Sequence, residues 1–497
     1  MKTIDLVLVQ PASRLRVYQG LGVTLAAIEP PVWASILASF VRQRGYRVAI
    51  IDAEAENLTP GLVAERVQEF NPSLIAVVAY GQQPSASTQV MPSVGAVVSA
   101  IKTLDSSQKV ILIGGHVAAL PERTLREEGA DYVCGGEGFY TLLDLLAGLE
   151  TANFNPASVR DVWYLENDQA REGPKALLVT DLNTEIASSS WDLLPMSAYR
   201  SHNWHGFGRS SRSPYVSLYT TVGCPFRCSF CCIQAPFKTG EKELGYRADK
   251  NSYRRWNPLR IVNDLEMLAV DYGIRNVKIA DEMFILSRQH VAEICSLLIK
   301  KRLGLNIWAY SRVDTLDHAL LPDLKAAGFN WLAFGIEAAN AHVREDVQKG
   351  YRQEKIYETL RAVREAGIQV IANYIFGLPE DTFESMQETL DLAMELNCEF
   401  GNFYSTMAYP GSDLFVRASK EGWELPATWS GYSQHSVDSH PLRTKYLTSR
   451  EVLRFRDEAF MKYHMSVRYL AMIERTFGAL ARREIEEMTR YQIVRNL

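Results

Sequence analysis

The segment SPYVSLYTTVGCPFRCSFCC, residues 213–232, decides the reading of this chain. Tyr215–Thr221 is a short apolar, β-branched run of the kind that forms a buried strand. It leads directly into a loop spaced Cys-x3-Cys-x2-Cys, with thiols at Cys224, Cys228 and Cys231. Seven cysteines occur in all, and four of them crowd into the nine positions 224–232. An odd, clustered set in a large chain points to metal or redox chemistry, whereas a secreted disulfide framework spreads an even number over a small one. Thiolates suit iron–sulfur clusters and zinc. Three on one tight loop leave a metal position open, as catalytic zinc sites do, and an open position can take a substrate or cosubstrate. Cys232 is the extra thiol and is not expected to be a ligand.

Downstream of the loop, strand candidates recur at Asn276–Ala280, Asn306–Tyr310, Trp331–Gly335, Val370–Phe376 and Phe400–Met407. Amphipathic stretches separate them at Leu259–Tyr272, His290–Lys301, Gln353–Ala366 and Thr382–Leu396. Six such units in line predict a (β/α)6 partial barrel. Upstream, strands at Ile4–Gln10, Val48–Asp52, Leu74–Tyr80, Val110–Gly114 and Tyr132–Cys134 alternate with helical stretches at Pro31–Gly45, Leu62–Phe70, Val90–Leu104 and Leu120–Gly129. That alternation predicts a doubly wound, Rossmann-like parallel sheet, with ligands at the carboxyl ends of its strands. Between the two, Asp161–Glu166 and Ala176–Asp181 flank NDQAREGPK as a predicted hairpin. Thr448 and Glu451 form a capping box for a helix through Tyr463, and a second helix is predicted over Val467–Met488. The α/β chain thus divides into a doubly wound domain at 1–150, a hairpin and linker at 151–195, the partial barrel at 196–425 and a helical region at 426–497.

The 497 residues carry a formal net charge of −5 and no long basic run, which argues against a nucleic-acid partner held by phosphate contacts. No apolar run reaches the ~18 residues of a membrane span, and the first residues lack a signal-peptide layout. The expected location is the cytoplasm.

The cysteine loop resembles the signature of the radical S-adenosylmethionine superfamily, and further pieces of that pattern follow in order. They are KIADEMF at 278–284, AYSRVD at 309–314, AFGIEAANAHVREDVQKGY at 333–351, NYIFGLPEDT at 373–382 and AYPGSDLF at 408–415. The resemblance spans most of residues 213–415. It implies a 4Fe–4S cluster on the three cysteines and S-adenosylmethionine on the open iron. It implies that Phe230 contacts the adenine through its backbone and that Glu337 lies near the ribose. Ala-Asp-Glu stands where the family often carries Gly-Gly-Glu, so the amino-group role is shared between Asp281 and Glu282. Arg312 is the candidate for a bidentate contact to the methionine carboxylate. The upstream domain resembles the cobalamin-binding domain of the cobalamin-dependent class, through Gly114 and Gly115 in IGGHVAALPE and Gly135, Glu137 and Gly138 in CGGEGFYTLLDLL. Glycines there would let the backbone approach the corrin. The chain lacks Asp-x-His-x2-Gly; His116 is expected in a packed loop, and whatever lies below the corrin is expected within 10–20.

The resemblance implies a methyltransferase acting on an unactivated carbon, or less often on phosphorus, by way of a 5′-deoxyadenosyl radical and methylcobalamin. It also implies an external electron donor such as flavodoxin or ferredoxin, and a small-molecule or peptide substrate. One alternative keeps both cofactors for oxidation, cyclisation or ring rearrangement without methyl transfer. A methylthiotransferase would need further N-terminal cysteines, where only Cys134 stands. An iron–sulfur redox sensor or a zinc-stabilised module is the non-enzymatic alternative. His202, Trp204, His205 and Phe207, together with Tyr404, Tyr409, Tyr446 and Tyr463, are candidates for the cleft, none of them as a catalyst.

Overall fold

A computed structural model of the chain describes residues 4–81, 86–186, 188–209 and 211–496. The first sheet has seven strands: β1 (Leu6–Gln10), β2 (Val48–Asp52), β3 (Leu74–Val78), β4 (Val110–Ile113), β5 (Tyr132–Cys134), β6 (Val162–Glu166) and β7 (Gln169–Glu172). Their order is β2-β1-β3-β4-β5-β6-β7, with β1 to β5 parallel and the last two antiparallel. Every residue of β1, β3 and β4 is buried. Alternate side chains enter two different cores: Leu6, Leu8, Leu74 and Ala76 on one face, Val7, Val9, Ile75 and Val77 on the other. This is why the runs read as continuously apolar, as strands covered on both faces do. Strand order reverses between β1 and β3, so the ligand crevice of a doubly wound sheet lies beyond Gln10 and Val78.

The predicted hairpin is present, but its return strand is Gln169–Glu172 and not Ala176–Asp181. Asn167 and Asp168 both take left-handed φ (50° and 63°), making a two-residue turn that reverses the chain early. The hairpin then adds to β5 as the charged edge of the first sheet.

The second sheet is an open half-barrel of six parallel strands: β8 (Tyr215–Leu218), β9 (Asn276–Ile279), β10 (Asn306–Ser311), β11 (Phe329–Glu337), β12 (Gln369–Phe376) and β13 (Phe400–Ser405), each beside the next in sequence. β8 stops at Leu218 rather than Thr221. The Asp281 carboxylate takes the Thr220 N–H at 2.6 Å, and Thr221–Val222 turns away to pair antiparallel with Arg254–Arg255. One core runs without a break from the first sheet through the half-barrel to the terminal helices.

The capping box of Thr448 and Glu451 starts the helix Ser449–His464. The single helix predicted over Val467–Met488 is two, Val467–Phe477 and Ala479–Arg490. Gly478, at φ +90° and ψ 170°, breaks the i→i+4 ladder between them.

Candidate active site between the sheet and the half-barrel

The cysteine loop is held by a frame of side chains around it. Gly223 has φ +88°, and a Cβ there would lie 2.4 Å from the Ser252 carbonyl oxygen, so only glycine permits the turn. The Asn251 amide donates to the carbonyls of Cys224 (2.9 Å) and Phe226 (2.7 Å). The Cys224 N–H donates to Gln234 Oε1 at 3.2 Å, and Gln234 is anchored in turn on buried Glu241 at 2.6 Å. Cys224, Cys228 and Cys231 are partly exposed, whereas Cys232 is buried. Burial pushes the Cys224 thiol up to about 12 and the Cys231 thiol up as well, so iron must displace protons on binding. Among the described residues no three Cys, His, Asp or Glu side chains converge as a single metal ion requires.

Beside the loop opens a cavity of about 1090 Å³. Phe230 and Cys231 lie on its wall, as do Glu282, Arg312 and Glu337 from the carboxyl ends of the barrel strands. Tyr18, Leu21, Leu25, Ala26, Ala86 and Gln89 of the first domain form the opposite wall, and residues 488–493 pass across one end. That is the size of the largest ordinary ligand pockets, roughly 1,000 Å³.

The two adjacent carboxylates separate. Asp281 is fully buried and does not line the cavity: it accepts from Thr220 N–H, Thr220 Oγ1 (2.5 Å) and Thr221 Oγ1 (2.8 Å), although burial raises its carboxyl to about 6. It is a clamp on the end of β8, and of the two carboxylates only Glu282 stands on the cavity wall. We expect Asp281→Ala to lower the unfolding free energy by about 2–4 kcal/mol in denaturant titration, because it strands buried donors, while Glu282→Ala leaves the fold intact.

Arg312 also differs in detail from the expectation. Its bidentate partner is Asp314, at 2.9 Å through both Nε and Nη2. The remaining edge turns to Cys228, with Nη1 3.6 Å from Sγ, and the guanidinium lies 4.0 Å over the Phe226 ring. Its fork is filled from within the chain, leaving Nη1 beside the cluster loop. Glu337 takes a left-handed φ of +61° at a bulge and is ion-paired with Lys349, whose ammonium is 6.0 Å from the Phe230 ring centre. A Cβ on Gly335 would collide with that pair. Lys349 is a site residue that the motif reading passed over, although it sits inside the quoted stretch AFGIEAANAHVREDVQKGY.

The strand-end residues of the first domain have internal partners. A Cβ on Gly114 would lie 2.5 Å from Ala79 O, and one on Gly135 3.0 Å from Trp163 Nε1; Gly115 opens a short helix, and Gly138 sits at φ +94° against Ile113. None of them lines the large cavity. Glu137 is buried and paired with Arg254 at 2.5 Å, and it accepts from Val179 N–H at 3.0 Å. It is therefore a bolt between the first domain and the two-residue strand beside the cysteine loop, and does not line the large cavity. Glu137→Ala leaves Arg254 buried without its partner, and we expect a loss of about 3–5 kcal/mol by denaturant titration, with replacement of both residues by apolar ones costing less. His116 is packed: Nδ1 lies 3.2 Å from Thr88 Oγ1, its ring meets Trp429 edge-on at 4.4 Å, and burial pushes it down to about 3.

Of the cleft candidates, His202, Trp204, Tyr404 and Tyr409 line the cavity. His205 is tied to the Asn306 carbonyl at 3.1 Å, Phe207 packs on Phe477, Tyr463 donates to the Cys398 carbonyl at 2.6 Å, and Tyr446 is exposed. Those four are structural or surface residues.

Residues 218–393 match the family model of the radical SAM superfamily, and residues 18–146 that of the B12 binding domain. The chain belongs to the cobalamin-dependent radical S-adenosylmethionine enzymes. It is 28% identical to an uncharacterized methyltransferase of Pyrococcus horikoshii, over 95% of this chain and 94% of that one. It is 26% identical to the anaerobic magnesium-protoporphyrin IX monomethyl ester cyclase of Cereibacter sphaeroides, over 88% of this chain and 67% of that one. Among solved structures it shares its fold with the radical S-adenosylmethionine methyltransferase TsrM of Kitasatospora setae with tryptophan and aza-SAM bound, at a TM-score of 0.69 and 17% identity, over 98% and 99% of the two chains. The radical S-adenosylmethionine cofactors of this class fit the residues present. The three cysteines stand on one loop, and the cavity beside Cys231 extends to Tyr18, Ala86 and Gln89 of the B12-binding domain.

Proposed function

We propose that this enzyme transfers a methyl group from S-adenosylmethionine to an unactivated carbon or phosphorus centre of a small molecule, with cobalamin as the relay. The observation that carries the reading is the single cavity, bounded by the cluster loop on one side and by the B12-binding domain on the other. When bound, the cluster with S-adenosylmethionine supplies a hydrogen-abstracting radical, and cobalamin supplies the methyl group. The chain's own residues position and shield. Cys224, Cys228 and Cys231 hold the cluster; Phe230 and the Glu337–Lys349 pair border the nucleoside space; the Glu282 carboxyl accepts from the cosubstrate's amino group. Tyr18, Leu21, Ala26, Ala86 and Gln89 would face the corrin. Apolar side chains make up much of the wall and keep water from the radical. No helix among the described residues is long and apolar enough to cross a membrane. We place the enzyme in the cytoplasm, where its free cysteines stay reduced.

The similarity to the cyclase of Cereibacter sphaeroides favours a second reading, in which both cofactors serve a ring closure without methyl transfer. Isotopically labelled S-adenosylmethionine separates the two. The anaerobically reconstituted enzyme is given methyl-labelled cosubstrate, a strong reductant and a small-molecule extract, and the quenched mixture is assayed by mass spectrometry. 5′-Deoxyadenosine, labelled methylcobalamin and a product heavier by one labelled methyl group are expected. 5′-Deoxyadenosine with no label in cobalamin or product would leave the cyclase-like reading.

A further inference from the structure

We infer that residues 238–255, together with Arg227, form the docking surface for a small acidic protein that delivers single electrons to the cluster. The inference rests on the reading above, in which each cleavage of S-adenosylmethionine takes one electron that the chain itself does not store.

The electron must enter beside the cysteine loop, and this segment is the surface bonded to it. Asn251 grips the carbonyls of Cys224 and Phe226, and Lys238 donates to the same Asn251 side chain. The segment is set firmly on the protein at its far end, where buried Arg254 pairs with Glu137. Its outer face is basic. Lys238, Lys242, Arg247, Lys250 and Arg255 are exposed, against only Glu243 and Asp249 among exposed acids. Asp249 is already paired with Arg247 at 3.0 Å. Glu241 is buried, where it holds Gln234 and Ser252 and pairs with Lys238 at 3.1 Å, so the basic character of the face rests mainly on Lys242, Lys250 and Arg255. Arg227 adds a further exposed cation on the loop itself, ion-paired at 3.7 Å with exposed Asp413. The whole chain carries −5, so this face runs against the average charge of the molecule.

A solvated charge run would account for the cations alone. It does not account for Tyr246, which stands 43% exposed among them, next to Gly245 at φ +77°. An exposed aromatic ringed by like charges is the pattern of a protein contact: the ring anchors, and the rim steers. The charge of the rim selects an acidic partner. Electrostatic steering also suits a donor that must bind, pass one electron and leave, because it raises the association rate without demanding a long-lived complex.

The test uses the reconstituted full-length enzyme and a variant carrying Lys242→Glu, Arg247→Glu and Lys250→Glu, three exposed side chains outside the cavity. The probe is reduced flavodoxin, labelled for anisotropy in one arm and supplied with its reductase and NADPH in the other. With dithionite, which needs no docking, both proteins should form 5′-deoxyadenosine at the same rate. With flavodoxin at low ionic strength, the variant should lose affinity and 5′-deoxyadenosine rate together, by about tenfold or more, since rim charges act over one to three decades of association rate. The wild type should suffer the same loss as salt is raised, because screening shortens the reach of charge. Tyr246→Ala should weaken binding without changing its salt dependence. Equal flavodoxin affinity in wild type and triple variant would overturn the inference. So would a charge-dependent gain of the wild type on anionic lipid vesicles with no flavodoxin binding, which would make the face a membrane contact. The anisotropy arm requires no turnover, so absence of 5′-deoxyadenosine with dithionite in the wild type would count against the proposed reaction and leave the docking result standing.

Discussion

Cys224→Ala should abolish S-adenosylmethionine cleavage, taking 5′-deoxyadenosine below detection, while the protein stays folded and keeps cobalamin. The thiol is one of the three proposed ligands on a loop whose geometry is fixed from outside: by Gly223, by Asn251 on two carbonyls and by Gln234 on the Cys224 N–H. None of those contacts uses the sulfur, so removing it spares the backbone. No neighbouring thiol can stand in for it, because Cys232 is buried. The fold should hold because the cysteine contributes no core contact comparable to the buried strands. The B12-binding sheet has its own second core, built from alternate residues of β1, β3 and β4, and it does not depend on the loop. Iron and sulfide content, the cluster's absorbance, 5′-deoxyadenosine and bound cobalamin are read on one preparation. Cluster absorbance and cleavage persisting at the wild-type level would refute the assignment of the three cysteines.

Much of the architecture was legible in the sequence because it is written in local signals. Strands β1, β3 and β4 are short β-branched runs buried on both faces, and the bounds of β2 and β5 coincide with their predicted limits. The cysteine spacing is likewise local. What escaped depends on partners distant in the chain. Glu137 reads as a strand-end carboxylate among glycines; its role is set by Arg254, 117 residues on. The glycines at 114 and 135 read as space for a ligand, but Ala79 and Trp163 of the chain itself occupy that space. Asp281 and Glu282 are neighbours in sequence, and neighbours at a strand end point in opposite directions. Only the placement of Thr220 and Thr221 shows which of the two faces inward. The break at Gly478 was the exception, since an isolated glycine in a helical run is a local signal for a stop.

Glu282→Gln should separate the cost of the site from its use. Burial, reinforced by the nearby Asp281 charge, raises the Glu282 carboxyl from 4.5 to about 8 in the unloaded protein. Between those values the folded chain retains a proton that the unfolded chain has released. Its contribution to stability is therefore complete below about pH 4.5 and is lost as pH rises through about 8. Glutamine carries no such proton, so the variant should melt higher than wild type above pH 8 and alike at the acidic end of the range. Cosubstrate binding should move the other way. An ionised carboxylate accepting from an amino group is worth more than a neutral amide, and its loss should weaken S-adenosylmethionine binding by roughly ten- to hundredfold. The wild-type affinity should also rise as pH approaches 8 and the carboxyl gives up its proton, whereas the variant should lack that component. Thermal melts of the unloaded proteins across pH, with equilibrium dialysis of labelled cosubstrate on the loaded ones, read both effects. A variant that neither gains stability at alkaline pH nor loses affinity would show that Glu282 is solvated and idle. Gain of stability with unchanged affinity would keep the buried carboxyl but move the amino-group contact to another residue of the cavity. The pattern expected here, stability gained and affinity lost by one isosteric change, is that of a group held in an unfavourable state until its ligand arrives.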